Sequence, residues 1–283
     1  MDTTFASPKN GISAYARDTN TLPAILNHSH IFHELILIEE GQATFWINGQ
    51  TYQAGPHTLV AISCLEEHNM QIQAAPYRRQ VLSVTEQFCI GSIREPILVS
   101  FFLSRSAQFC PVIPLSCGVF RRLSHYMSQI IAEFDQAESF WMLHVQDLLE
   151  EIVLCLYRYR SDLFLQENCH ASVAVFQVQR YIAEHYAEKI TLDDLAQTCF
   201  LSKYYLSHIF QKATGYGIQK YLQLYRINEA KQLLENTELS ITEICFSVGY
   251  NDINHFIRLF RRSEKTSPLQ YRKLLRANPK HFH

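Results

Sequence analysis

Three histidines and a glutamate near the start of the chain, His28, His30, His68 and Glu34, are side chains of the kind that make a divalent transition-metal site. Facing one cavity, they would hold such an ion and could support oxygenase or isomerase chemistry. Phe32, Ile36 and Trp46 would line the same pocket, the alternative being that they are simple core. Other catalytic patterns are missing. There is no phosphate-cradling glycine loop and no Gly-x-Ser-x-Gly elbow. The eight cysteines include no Cys-x-x-Cys pair. Cys199 and Cys245 fall on apolar helical faces and read as reduced core residues; Cys64, Cys89, Cys110, Cys117 and Cys169 are candidates for redox sensing that no further pattern supports.

The elements around the histidines read as short strands. His33 to Glu39 is strand-like, and Ala43 to Ile47 is rich in β-formers. Asn48-Gly49 is a tight-hairpin signal before Gln50 to Gln53. Leu59 to Ile62, Met70 to Ile72 and Gln80 to Val84 continue the series, which predicts a small β-barrel or jelly roll. The polar segment Asp2 to Asn20 reads either as an arm over the pocket or as a mobile terminus.

Beyond the strands, Phe120 to Phe134 and Phe140 to Tyr159 have helical periodicity. In the second, Leu143, Val145, Leu148, Leu149, Ile152, Val153 and Leu156 form a broad apolar stripe. It fits a homodimer contact or an intramolecular helix pair. Periodicity is lost over 161–172, which divides the chain into domains 1–160 and 173–283 joined by a linker. With 283 residues, 47% of them hydrophobic, the chain can fill two cores. No apolar run reaches membrane-spanning length and residues 1–20 lack a basic start followed by an apolar block, so a cytoplasmic protein is expected.

The C-terminal third repeats one arrangement twice. Thr191 caps a stripe of Leu192, Leu195, Ala196 and Cys199. Ser202 then caps a second helix with Tyr205, Leu206, Ile209, Phe210 and Ala213 inward, up to Gly215 and Gly217. Ser240 opens Ile241, Ile244, Cys245 and Val248; Gly249 permits a turn, and Asp252 caps a helix with Phe256, Leu259 and Phe260 inward. Ile218 to Leu234 forms one connecting helix of roughly 25 Å, long enough to set two reading heads near successive major grooves. Charge agrees. Residues 173–283 carry 15 Lys and Arg against 10 Asp and Glu, a balance of +5, while the remainder holds −7, so the near-neutral total of −2 conceals a basic end. Lys203, Lys212, Lys220, Arg258, Arg261, Arg262, Lys265, Arg272 and Lys273 are the expected phosphate contacts.

The segment from about 174 to 275 resembles the AraC/XylS transcription regulators. The most specific stretch contains Ile241, Ile244, Val248-Gly249-Tyr250, Asp252, Phe256, Arg258, Phe260, Arg261, Ser267-Pro268 and Tyr271-Arg272. Three positions depart from the pattern. Phe200 and Lys265 stand where glycine is frequent and Cys245 replaces an alanine, so a positive φ at Phe200 or Lys265 would be strained. The resemblance implies base-reading positions on the early turns of each second helix: Tyr204, Ser207 and His208, then Ile253, Asn254, Ile257 and Arg258. Asn pairs bidentately with adenine, Arg with guanine, and isoleucine meets a thymine methyl, so Asn254 is the leading candidate.

His28, His30, Glu34 and Gly41 fall at the spacing of a first cupin motif, and His68 falls where the second motif places its histidine. This resembles the cupin-like sensor domain of such regulators, and implies effector-contacting or packing histidines with no metal and no other cofactor.

The expected fold is α+β multidomain: a cupin-like β-barrel (jelly roll) with two following helices, then an all-α double helix-turn-helix domain. The expected function is transcription regulation, not catalysis. An activator would bind double-stranded DNA and a small-molecule effector, a sugar or related metabolite. It would form a homodimer through Phe140 to Tyr159 and contact RNA polymerase. The alternative is a metal-dependent cupin enzyme or metal sensor joined to a DNA-binding module.

Overall fold

The computed structural model describes residues 8–19, 27–103, 109–164 and 169–277. They fall into two compact units, one built mainly on Pro8–Phe176 and the other mainly on 177–277.

The first unit is an antiparallel sheet followed by helices, as expected. Its strands are β1 (Ile12–Thr19), β2 (His33–Ile47), β3 (Gln50–Ala54), β4 (Thr58–Ile62), β5 (His68–Val84) and β6 (Val112–Pro114). Pairing follows the path β1-β5-β2-β4-β6, with β3 on β2. The two segments expected before Asn48 join into one bent strand. The bend is at Gly41, where φ is +84° and a Cβ would stand 2.5 Å from the Pro76 carbonyl. Register shifts on either side of Glu40 and Gln42 let β2 turn without losing β5. Asn48 and Gly49, at φ 49° and 77°, close the hairpin to β3.

Along β4 and the parts of β2 and β5 beside it, both sheet faces are buried. Ile36, Ile38, Phe45, Val60, Ile62 and Val81 form an inner core. Leu35, Leu37, Leu59, Ala61, Leu82 and Val84 pack in an outer one with helices α1 (Glu86–Ser92), α2 (Pro96–Leu103), α3 (Cys117–Gln136) and α4 (Trp141–Tyr159). A strand covered on both sides shows little polar alternation, hence the continuous apolar run of β4.

Of the Asp2–Asn20 segment, residues 2–7 and 20 lie outside the described residues. Ile12–Thr19 is neither arm nor mobile terminus but pairs with β5 along its whole length. Val145, Leu148, Leu149, Ile152, Val153 and Leu156 of α4 all enter the outer core. The intramolecular reading therefore absorbs most of the stripe, and Phe140 and Leu143 stay 83% and 57% exposed.

In the expected linker, Ser161–Leu163 form a 3-10 turn, residues 165–168 lie outside the described residues, and 169–172 open helix α5 (Cys169–His185). The helical unit continues with α6 (Leu192–Thr198), α7 (Lys203–Thr214), α8 (Ile218–Asn236), α9 (Ile241–Ser247), α10 (Ile253–Glu264) and α11 (Pro268–Ala277). The four expected caps form. Thr191 with Asp194 and Ser240 with Glu243 make reciprocal capping boxes, Ser202 accepts from the Tyr205 amide, and Asp252 accepts from those of Asn254 and His255. Ile227, Ala230 and Leu234 of α8 pack with Ile244, Cys245, Phe256 and Phe260.

Candidate functional site

The first site gathers at one end of the sheet. His28 forms an isolated bridge with the start of β5, donating its amide to the His68 carbonyl at 3.0 Å and accepting in return at 2.9 Å. The rings stand 4.2 Å apart, with His30 at 4.8 Å from His68. His30 stacks on Phe32 at 3.8 Å, and its Nδ1 donates to the Phe32 carbonyl at 2.8 Å. His68 Nδ1 donates to the Glu66 carbonyl at 2.9 Å. Backbone carbonyls only accept, so both rings are held with Nε2 turned toward Glu34 Oε2, at 3.8 and 3.9 Å. Glu34, His30 and His68 are buried.

The donor set fits a divalent metal ion. Two ligands bonded at about 2.1 Å to a common ion stand at most about 4.2 Å apart. The two histidine–glutamate separations satisfy that, while the three histidine ligand atoms, within 4.8 Å of one another, would close by about half an ångström.

Trp46 does not join this group. Phe45 and Ile47 belong to the inner core, so alternation directs the half-buried Trp46 to the opposite face. Sequence reasoning missed other inner-face residues: Tyr15 on β1, and Tyr77 and Arg79 on β5. Burial, and secondarily the Glu34 carboxylate, push the Tyr15 phenol far up; burial does the same to Tyr77, with Glu34 raising it and Arg79 opposing. Both phenols are therefore donors at neutral pH. The inner-face parity of Tyr77, Arg79 and Val81 could have found them, had β5 been read as one strand.

Of the cysteine candidates, the Cys169 side chain lies outside the described residues. Cys64 and Cys89 are buried, and burial holds the Cys89 thiol well above its ordinary range. Cys110 and Cys117 are exposed.

The second site lies on α7 and α10. Tyr204, His208, Asn254 and Arg258 are exposed on the first turns and a half of their helices, with Ser207, Ile253 and Ile257 partly exposed beside them. Lys212 and Arg261 are exposed further along. Two expected phosphate contacts are compromised. Lys203 pairs with Asp193 at 2.5 Å, so phosphate must compete for it. Arg272 is 8% exposed and its Nε donates to the Leu234 carbonyl at 3.3 Å; it anchors the end of α8 and is withdrawn from the DNA-facing set. Burial, with Arg262 adding to it, lowers the Lys220 pKa.

The scaffold behind α10 is specific. A Cβ on Gly249, at φ +85°, would stand 2.6 Å from the Ala187 carbonyl. Arg226 donates to the carbonyls of Tyr186 and Glu188, both at 2.7 Å, and its guanidinium lies 5.3 Å from the Tyr250 ring centroid. Lys231 on α8 meets Glu264 on α10 at 3.1 Å. Phe200 and Lys265 adopt φ of 55° and 58°, the left-handed geometry that their positions suggested.

Comparison with known proteins agrees with this division. Residues 11–153 match the model of the AraC-like ligand binding domain, and 195–274 match a helix-turn-helix domain. The HTH-type transcriptional activator RhaS of Enterobacter sp. (strain 638) is 28% identical over 260 residues, 88% of each chain. RhaS of Klebsiella pneumoniae (strain 342) is 26% identical over 277 residues, 94% of each chain. Among solved structures, ToxT from Vibrio cholerae O395 has a TM-score of 0.58 at 14% identity, covering 94% of this chain and 99% of that one. ToxT from strain SCE256 with an unsaturated fatty acid bound has a TM-score of 0.59 at 11% identity, over 95% and 97% of the two chains. Among the described residues, no helix is long and apolar enough to cross a membrane.

Proposed function

Because the chain belongs to the AraC family, we propose that it is a sequence-specific, DNA-binding transcription activator controlled by a small-molecule effector held in the N-terminal sheet domain. The carrying observation is the pair of capped second helices: α7 and α10 each expose polar side chains on their early turns while burying the opposite face. In this reading Asn254 reads adenine, Arg258 reads guanine or grips phosphate, and Tyr204, Ser207, His208, Ile253 and Ile257 complete the base-facing set. Lys203, Lys212 and Arg261 fix the register on phosphate. The working division is 1–160 for sensing, 161–172 for linkage and 173–283 for DNA. A homodimer would use the exposed Phe140 and Leu143 at the head of α4, and RNA polymerase would be the partner in activation. The effector, in the chemical range of a sugar or related metabolite, would contact His28, His30, Phe32, Glu34 and His68. Coupling requires that it bind one arrangement of the protein better than another.

Selection of genomic fragments by the purified full-length protein at physiological salt tests this reading. A repeated two-part motif supports it; no enrichment over random fragments, with or without a metabolite extract, rejects it.

A second reading, metal sensing, is favoured by the convergence of His28, His30 and His68, with Glu34 beside two of them. Elemental analysis after mild purification decides: less than about a tenth of a metal ion per chain removes this reading.

A further inference from the structure

The inner face of the sheet carries a buried guanidinium that meets no carboxylate among the described residues. Arg79 is 6% exposed, and parity with Tyr77 and Val81, both in the inner core, turns it inward. Its polar contact is a 3.4 Å bond from Nη1 to Thr19 Oγ1, and its guanidinium lies 5.0 Å from the centroid of the Tyr77 ring. Among the described residues, no carboxylate comes within 4 Å of it. A buried guanidinium presents five donors, and taking it out of water without an anion is costly.

Beside it stands a second unspent donor. Tyr77 is fully buried, and its hydroxyl makes no hydrogen bond among the described residues. Tyr15, which faces Val81 across the β1–β5 pairing, adds another phenol. The β1 edge of the site is less covered than its β5 side. Tyr15, Arg17 and Thr19 sit on the inner face of β1, yet they are only half-buried. At Tyr15 the Glu34 carboxylate raises the phenol while Arg79 and Arg17 oppose it; at Tyr77 Arg79 opposes and Glu34 raises.

Resting on the effector reading above, we infer that the effector carries a single carboxylate, received by the Arg79 guanidinium with the Tyr77 and Tyr15 hydroxyls as further donors. One carboxylate offers about four lone-pair positions. The planar guanidinium takes two in bidentate fashion, and the two phenols supply the remainder. The recognised class is thus a small monocarboxylic acid, and an uncharged molecule of the same shape would leave Arg79 buried and unmatched.

The test uses full-length protein and a panel of small monocarboxylates, among them propionate, benzoate and several uronates. Each is paired with its neutral amide or parent aldose, and binding is read by thermal shift and calorimetry into the tens of millimolar. At least one acid is expected to bind about tenfold or more tighter than its neutral partner. Arg79→Met should weaken that acid about a hundredfold, and Tyr77→Phe about tenfold. Arg79→Met should also melt no lower than wild type without ligand, because it removes an uncompensated buried charge; a lower melting point, with acid binding intact, would make Arg79 structural and overturn the assignment. Neutral members binding as well as the acids would overturn it too, while leaving the effector reading in place. Silence of the whole panel would count against both.

Discussion

The two units build their sites in opposite ways. In the N-terminal unit the candidate contacts are buried and come from segments distant in sequence: Glu34 meets His68 at 3.9 Å, and Tyr15 lies opposite Val81. In the C-terminal unit the reading residues are exposed and local, on helices whose caps are written within three residues of their starts. A buried polar site depends on long-range register, because one residue of slip would turn Glu34 and Arg79 to the other face. A helical reading surface depends on a cap and a turn, which neighbouring residues supply.

The most severe way to break this contrast is Gly249→Ala. A Cβ would strike the Ala187 carbonyl at 2.6 Å from a backbone at φ +85°. A loss of about 3 kcal/mol or more from the helical unit is expected. Denaturant unfolding should show that unit melting early and DNA binding lost, while the sheet unit keeps its own transition. If both transitions fall together, the units are not independent in stability.

Asn254→Ala sharpens the comparison on the functional side. It should cost about 1–3 kcal/mol at one adenine-bearing position and little on random DNA. Lys212→Ala should instead weaken all sequences alike and flatten the salt dependence. Equal losses on specific and random DNA for Asn254→Ala would remove it from base readout.

Phe200→Gly probes the turn between α6 and α7. Phe200 is 94% exposed and sits at φ 55°, so it contributes little packing while its Cβ strains the backbone. Glycine there should stabilise the helical unit by about 1 kcal/mol, measured by urea unfolding. A destabilised variant would mean that the phenylalanine makes a contact worth more than the strain.

The smallest effect is expected from acid. The amides of His255 and Asn254 hold the Asp252 carboxyl below the usual carboxylate range. The folded value is therefore below the unfolded one. Its contribution is present above the ordinary carboxylate pKa and fades as pH falls through the lowered value. Asp252→Asn, which keeps an accepting oxygen at the cap, should reduce that acid sensitivity of the helical unit. An unchanged acid limb in pH-dependent unfolding would show that the cap carries none of it.

Legibility followed the same divide. The caps Thr191, Ser202, Ser240 and Asp252, the turn at Gly249 and the length of α8 were readable because each is decided within a few residues. Arg272 was misread as a phosphate contact because its neighbours look like a solvated basic face, and only the return of α11 against α8 shows it buried. In the sheet unit, the histidines were legible by type and spacing, while Trp46 was placed on the wrong face and Tyr15, Tyr77 and Arg79 were not found. Both errors come from strand registry. The bend at Gly41 hides the continuity of β2, and Met70–Ile72 and Gln80–Val84 read locally as two strands although β5 runs unbroken from His68 to Val84.

By itself the sequence determined the double helix-turn-helix end, its caps and basic charge, and the presence of three histidines with a glutamate ahead of a sheet. These follow from side-chain type and short-range spacing, which act before the chain closes on itself. Tertiary structure alone decided that His28 and His68 share a bridge, that most of the α4 stripe is spent inside the fold, and that Arg79 is buried beside Tyr77. Those outcomes depend on which strands pair and in what register, a long-range balance of burial and hydrogen bonding that no local window of residues contains.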